Sequence, residues 1–233
     1  MCAQENVASV AFLIADPGRA AMLMSLVDGR ARPAGELAFA AGITAQTASS
    51  HLSKLLAGGL LTVETEGRHR YYRLAGPQVA HALENLASIG PAEPPRKRVL
   101  SPETRRLRFA RCCYDHLAGR VGVAVTQGLQ ARGFLIAGAE KQYEVTEIGA
   151  EWFGRMGLDL AKIKRSRRGL ARQCLDWSER EHHLAGPLGV ELMDLLCANG
   201  WLRRSKTSRA VQVTPKGWAG LRDELGVREQ STA

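Results

Sequence analysis

Two groups of residues in this chain have types and spacings suited to chemistry. The first is Gln46, Thr47, Ser49, Ser50, His51 and Lys54, within the segment Thr44–Ala57. Short hydrogen-bonding side chains and one cation on the outer flank of a helix can read base edges and phosphates in the major groove of double-stranded DNA. Arg68, Arg70 and Arg73 follow on a hairpin and suit backbone or minor-groove contact. The second group is Cys113, His116, Cys174, His182 and His183. Thiolates and imidazoles together form a ligand set for Zn²⁺ or a softer ion, or a thiol that responds to oxidants and electrophiles.

The first group needs two helices and a hairpin to hold it. Leu37, Ala38, Ala41, Ile43, Ala48, Leu52, Leu55 and Leu56 supply a compact apolar face, and Gly42 sits where the chain must reverse. The run from Gly58 to Ala75 then reads as a β-hairpin with a basic tip, so residues 34–75 read as a winged helix-turn-helix. Val7, Val10, Ala11 and Ile14 form a helical stripe before it, and Asp16-Pro17 ends that helix or restarts the next. Pro77 opens a helix whose stripe is Val79, Leu83, Leu86 and Ile89. With the first helix it can form a dimer interface that sets two reading helices on one face of a duplex.

Gly90-Pro91-Ala92-Glu93-Pro94-Pro95 cannot sustain helix or strand and is followed by Arg96-Lys97-Arg98, a solvated boundary or a phosphate-contacting arm. The expected organisation is a DNA-binding and dimerisation domain over 1–90, a linker over 91–100, a second domain over 101–226 and a disordered tail over 227–233. The second domain contains a repeat: Asp115–Gly122 matches His182–Gly189 at an offset of 67, and Tyr143–Gly149 matches Val211–Gly217 at 68. Each copy reads as helix, glycine-rich kink, helix, strand, turn, strand, and a helix capped by Thr146 or Thr214. The fold class expected is mainly α with small β-hairpins: an N-terminal winged helix-turn-helix plus two degenerate winged-helix-like repeats. Neither copy's second helix displays the polar set seen at 46–54, which suits dimerisation or ligand sensing.

With 233 residues and 45% hydrophobic content the chain can build two cores, and its net charge of +9 suits a polyanionic partner or simply solubility. The basic residues cluster at the wing and in two later runs, which favours nucleic acid. No run of 18 apolar residues exists, so no membrane partner is expected. The first ten residues lack the pattern of a secretion signal, and five cysteines without scaffold spacing suit a reducing cytoplasm.

Ile14–Arg19, Glu36-Leu37-Ala38, Thr47–Leu52, Leu56–Leu60 and the wing Gly67–Leu74 together resemble the ArsR/SmtB family of bacterial winged-helix repressors, over roughly residues 5–90. The resemblance implies a homodimer on a palindromic operator, released by a small effector. It also implies that Gln46, Thr47, Ser49, Ser50 and Lys54 contact the major groove and Arg68 the minor groove. The familiar metal sites of that family are missing. Glu36-Leu37-Ala38-Phe39-Ala40 holds no cysteine pair, and the helix after the wing offers His81 and Glu84 alone. The cofactor is therefore open at this point.

Candidate effector-sensing residues are Cys113, His116, Cys174 and His183. Cys113 and His116 sit three apart on an expected helix and hence share a face, and the repeat pairs His183 with His116. Against convergence on a metal, Cys113 lacks a counterpart, since Arg180 stands at the repeat position. A thiol sensor would draw on Arg111, Arg172 and Arg180 to lower a cysteine pKa. An organic effector would use Trp152, Trp177, Trp201 and Trp218, which are equally suited to a core. Two functions of a different class compete with a regulator: an architectural DNA-binding protein without sequence preference, and a cysteine-dependent enzyme. The enzyme reading is the weaker, because Cys113, Asp115 and His116 as neighbours on one helix cannot supply an independently oriented base, and no phosphate-binding loop or nucleophile elbow is present.

Overall fold

The computed structural model describes residues 3–66, 69–89, 102–164, 166 and 169–229. They fall into two compact units, residues 1–86 and 87–233. The linker residues 91–100, Cys2 and most of the basic run at 165–168 lie outside the described residues. No single helix among the described residues is long and apolar enough to cross a membrane.

The first unit runs α1 (Ala3–Ile14), α2 (Pro17–Ser25), β1 (Arg32–Pro33), α3 (Ala34–Ala41), α4 (Ala45–Ala57), β2 (Leu61–Glu66), β3 (His69–Leu74) and α5 (Pro77–Ile89). Asp16 caps α2 by accepting the Arg19 amide at 2.8 Å, with Pro17 at the first helical position. The buried Arg19 side chain turns back to donate to the Leu13 and Phe12 carbonyls at 2.6 and 2.9 Å, satisfying the orphan acceptors that end α1. Gly42 closes α3 at φ 66°, a left-handed backbone that glycine adopts without steric cost. Thr44 then caps α4 by accepting the Thr47 amide. Leu23, Leu37, Leu52, Leu55, Tyr72 and Leu83 meet in the core. The expected hairpin is present, and β1 joins it through Arg32 and Pro33 to make a three-stranded antiparallel sheet ordered β1-β3-β2. Two residues are too short to carry an alternating pattern, which is why the sequence does not reveal that strand.

The second unit opens with α6 (Pro102–Phe109) and then passes twice through one element order. The first pass is β4 (Arg111–Cys113), β5 (His116–Ala118), α7 (Gly119–Ala131), β6 (Leu135–Ala137), β7 (Tyr143–Val145) and α8 (Glu147–Met156). The second is β8 (Arg172–Leu175), β9 (His182–Ala185), α9 (Gly186–Ala198), β10 (Leu202–Arg204), β11 (Val211–Val213) and α10 (Pro215–Leu225). Thr146 and Thr214 cap α8 and α10 through the Gly149 and Gly217 amides, as their spacing predicts. Gly119 and Gly186 open α7 and α9 at φ 78° and 77°, and a side chain there would meet the Arg108 or Leu170 carbonyl at 2.8 or 3.0 Å.

One expectation fails in both passes: the segment before each glycine-rich kink is a β-hairpin and not a helix. Arg111–Cys113 and His116–Ala118 are buried at almost every position. A short apolar run without alternation cannot be told from a helix by periodicity, and the two-residue turn Tyr114-Asp115 decides it. Val227, placed by the sequence in the tail, packs against the core and donates to the Leu221 carbonyl.

The two passes are interlocked. The Val211 amide donates to Ala110 while the Tyr143 amide donates to Ala171, so the hairpin of each half lends its edge to the strand pair of the other. α7 packs on β9 and α9 on β5. Arg111 and Asp176, both fully buried, pair at 2.9 Å across this junction, and Asp176 also accepts from the Gly119 amide and from Ser178. Burial, the largest single influence on the Asp176 carboxyl, pushes its pKa up. Arg111, Ser178 and the Gly119 amide outweigh it and hold the value down at about 2. Removing one partner of such a pair leaves a naked charge in the core. Arg111→Leu is expected to cost about 3–5 kcal/mol in urea unfolding. Arg204→Leu, at the exposed Arg204–Asp194 pair, is expected to cost about 1 kcal/mol or less by the same measurement.

Candidate functional site

α4 presents a polar flank built on an apolar one. Ala48, Leu52 and Leu55 are buried, and Gln46, Thr47, Ser49, Ser50, Ser53 and Lys54 are exposed on the opposite side. Ser53 is an addition to the set read from the sequence, although its hydroxyl donates back to the Ser49 carbonyl at 3.0 Å. The Thr47 hydroxyl lies 2.9 Å from that of Thr44 and so takes part in the helix cap. His51 departs from the expectation that it faces outward. Its side chain is 13% exposed, and its Nε2 lies 3.4 Å from Asp16 Oδ1, against the start of α2. His51 therefore braces α4 against α2 and leaves the outward set.

On the wing, Arg70 is exposed, with its guanidinium 5.7 Å from the Tyr72 ring centre, and Arg73 pairs with Glu64 at 3.0 Å. Arg68 lies outside the described residues.

The Cys–His group comes together by a route the sequence does not reveal. Cys113 and His116 face each other across the β4–β5 hairpin, and Cys174 and His183 face each other across β8–β9. Directly opposed residues in an antiparallel pair project to the same face, so each hairpin offers one thiol and one imidazole side by side. Cys174 is thus the counterpart of Cys113, and Arg180 is not. The second hairpin separates its pair by eight residues where the first uses two, and that longer loop hides the correspondence from an alignment at constant offset.

One donor atom from each of Cys113, His116, Cys174 and His183 lies within 4.8 Å of all the others; Cys174 is half-buried and the rest are buried. The two Nε2 atoms face each other at 3.1 Å. Behind them, His116 Nδ1 is 3.0 Å from Asp115 Oδ1, and the buried His183 Nδ1 is 3.5 Å from Asp176 Oδ2. If both Nδ1 atoms carry protons toward these carboxylates, two Nε2 lone pairs point at one another, and a positive charge between them is what relieves the contact. For His116, burial is the largest influence and lowers the pKa. Asp115 and Cys113 outweigh it and raise the value to about 9. His182, by contrast, lies beside this group, and its pKa is lowered by burial and by Lys141. Burial raises the pKa of Cys112.

The four tryptophans are engaged in packing or surface contact. Trp152 stacks on Phe134 at 5.1 Å and donates to Glu224 Oε2, Trp201 is buried, Trp218 lies against Phe109, and Trp177 lies under the Arg111 guanidinium.

Comparison with known proteins places this architecture. Residues 14–64 match a helix-turn-helix domain family. The chain is 44% identical over 223 residues to the uncharacterized HTH-type transcriptional regulator YdfF of Bacillus subtilis, covering 96% of this chain and 98% of that one. This chain belongs to the HTH-type transcriptional regulators, with a winged helix-turn-helix followed by a second, C-terminal unit. Within that family, the regulator CmtR of Mycobacterium tuberculosis is 41% identical over 76 residues, 33% of this chain and 64% of CmtR. A homodimeric winged helix-turn-helix domain of Mycobacterium bovis, described as a possible ArsR-family regulator, is 35% identical, covers 36% of this chain and 76% of that one, and has a TM-score of 0.34. As an HTH-type regulator the chain binds DNA through its first unit.

The position of His51 has a measurable consequence for that unit. His51→Ala is expected to weaken binding to every DNA sequence by a similar factor and to leave the preferred base at each position unchanged. Selection from a randomised duplex library checks both.

Proposed function

We propose that this regulator is a repressor that binds a palindromic operator as a homodimer and is released when an effector acts on its C-terminal unit. The observation that carries the reading is the exposed flank of α4, where Gln46, Ser49, Ser50 and Lys54 stand clear of a helix whose other side is locked into the core. Arg70, with Arg68, adds phosphate contact from the wing. In α7, the helix that precedes the second hairpin in the first half of the C-terminal unit, eight of 13 residues are buried, which suits sensing rather than base reading.

Homodimerisation is supported by α1. Val7 and Phe12 are 70% and 73% exposed on a helix of high apolar content, and Leu86 on α5 is 48% exposed. Apolar side chains of this size on one unit argue for a partner surface, and a second copy gives the two-fold symmetry that a palindrome requires. For the effector, the group Cys113, His116, Cys174 and His183 favours a metal or thiol-reactive agent over an organic ligand, because the tryptophans are occupied elsewhere.

Gln46→Ala and Ser50→Ala are each expected to relax base choice by about 1–3 kcal/mol at individual operator positions, measured by fluorescence anisotropy on operator variants. Equal losses on operator and random DNA would instead favour the architectural reading. Arg70→Ala should weaken all sequences alike and reduce the slope of log K against log salt by about one unit. Phe12→Asp should shift the protein from dimer to monomer in sedimentation velocity, with operator binding falling in step. A variant that stays dimeric places the interface elsewhere.

A further inference from the structure

We propose that Cys113, His116, Cys174 and His183 form a tetrahedral binding site for a single divalent cation of the zinc class, one per chain, with Asp115 and Asp176 supporting the two imidazoles from behind. This names the ion for the effector reading above, and the site itself does not depend on operator binding.

The geometry is close to that of a bound ion. Zinc takes sulfur at about 2.3 Å and nitrogen at about 2.0–2.1 Å, so a tetrahedral site has edges of about 3.3–3.8 Å. The two Nε2 atoms stand 3.1 Å apart, and all four donors fall within 4.8 Å. Rotamer adjustments of under about 1 Å close the remainder. Two thiols and two imidazoles match a borderline-soft ion and not the oxygen-seeking Mg²⁺ or Ca²⁺. A metal-bound histidine ordinarily offers its second nitrogen to a carboxylate, which fixes the ring and raises its basicity. Here His116 Nδ1 bonds Asp115 Oδ1 at 3.0 Å, and Asp176 Oδ2 stands 3.5 Å from the buried His183 Nδ1, which makes no hydrogen bond and is placed to turn toward it. Three of the four ligands are buried, which keeps competing water away, while half-buried Cys174 leaves an entry. The ligands come in one Cys–His pair from each half, so the ion joins the halves at their junction.

The test uses the full-length protein, reduced and stripped with a chelator, and titrated anaerobically with Co²⁺. The expected result is saturation at one Co²⁺ per chain, with the strong visible bands of tetrahedral cobalt and a thiolate charge-transfer band, both lost when Zn²⁺ is added. Cys174→Ser should remove about half of the charge-transfer intensity, since one of two thiolates is lost, and Asp115→Asn should weaken Zn²⁺ about 10–100-fold without changing band positions. Should a variant not fold, the wild-type protein still decides. Zn²⁺ should protect the half-buried Cys174 from alkylation, read by mass spectrometry, and should leave the alkylation rate of the equally half-buried Cys112 unchanged. A weak octahedral spectrum, no binding, or equal alkylation with and without Zn²⁺ overturns the site. Operator affinity measured on the same samples is a separate readout, so failure of the metal site and failure of the repressor reading are distinguishable.

Discussion

Asp176 is a fully buried carboxylate, and the C-terminal unit is organised around keeping it charged. It lies just beyond β8, receives Arg111 from β4 of the other half, and accepts the amide that opens α7. Ser178 and the Glu179 amide occupy its second oxygen. A charge without water is tolerable only when its partners are fixed, and fixing these partners fixes the relation of the two hairpins. That relation sets the distance between the imidazoles, and the same carboxylate stands behind His183. Structural support and tuning of the Cys–His group are thus a single arrangement.

The two units divide polar work differently. In the first, polarity faces outward along α4, where bases and phosphates can approach it. In the second, polarity is turned inward at the junction of the halves, around Asp176 and the two imidazoles. A helix followed by a hairpin and a further helix recurs in both units, and it supports an exposed reading surface in one case and an enclosed chemical group in the other. What separates them is the helix before the hairpin: three buried residues in α4 against eight in α7.

Much of this is legible in the residues. Thr44, Thr146 and Thr214 as caps, Gly42 as a reversal and the offset of 67 all rest on local rules, and local rules transfer directly from sequence to structure. The hairpin at Cys113–His116 is not legible, because three-residue strands buried on both faces carry no alternation and a spacing of three suggests a helix. The equivalence of Cys174 with Cys113 is hidden for a related reason. Strand pairing, and not sequence offset, makes residues equivalent, and a longer loop breaks the offset while preserving the pairing. His51 is missed because helical spacing alone puts it beside Ser50, whereas its contact with Asp16 depends on how α2 crosses α4.

The reciprocal lending of strand edges also governs how the second unit can assemble. The chain near Ala110 must find Val211, and the chain near Ala171 must find Tyr143, before either hairpin has its full complement of backbone partners. A fragment ending between the halves would carry an unpaired edge and an uncovered apolar helix, a surface prone to pairing with another chain. The order of the unit thus rests on contacts between distant parts of the chain, a topology that folds slowly.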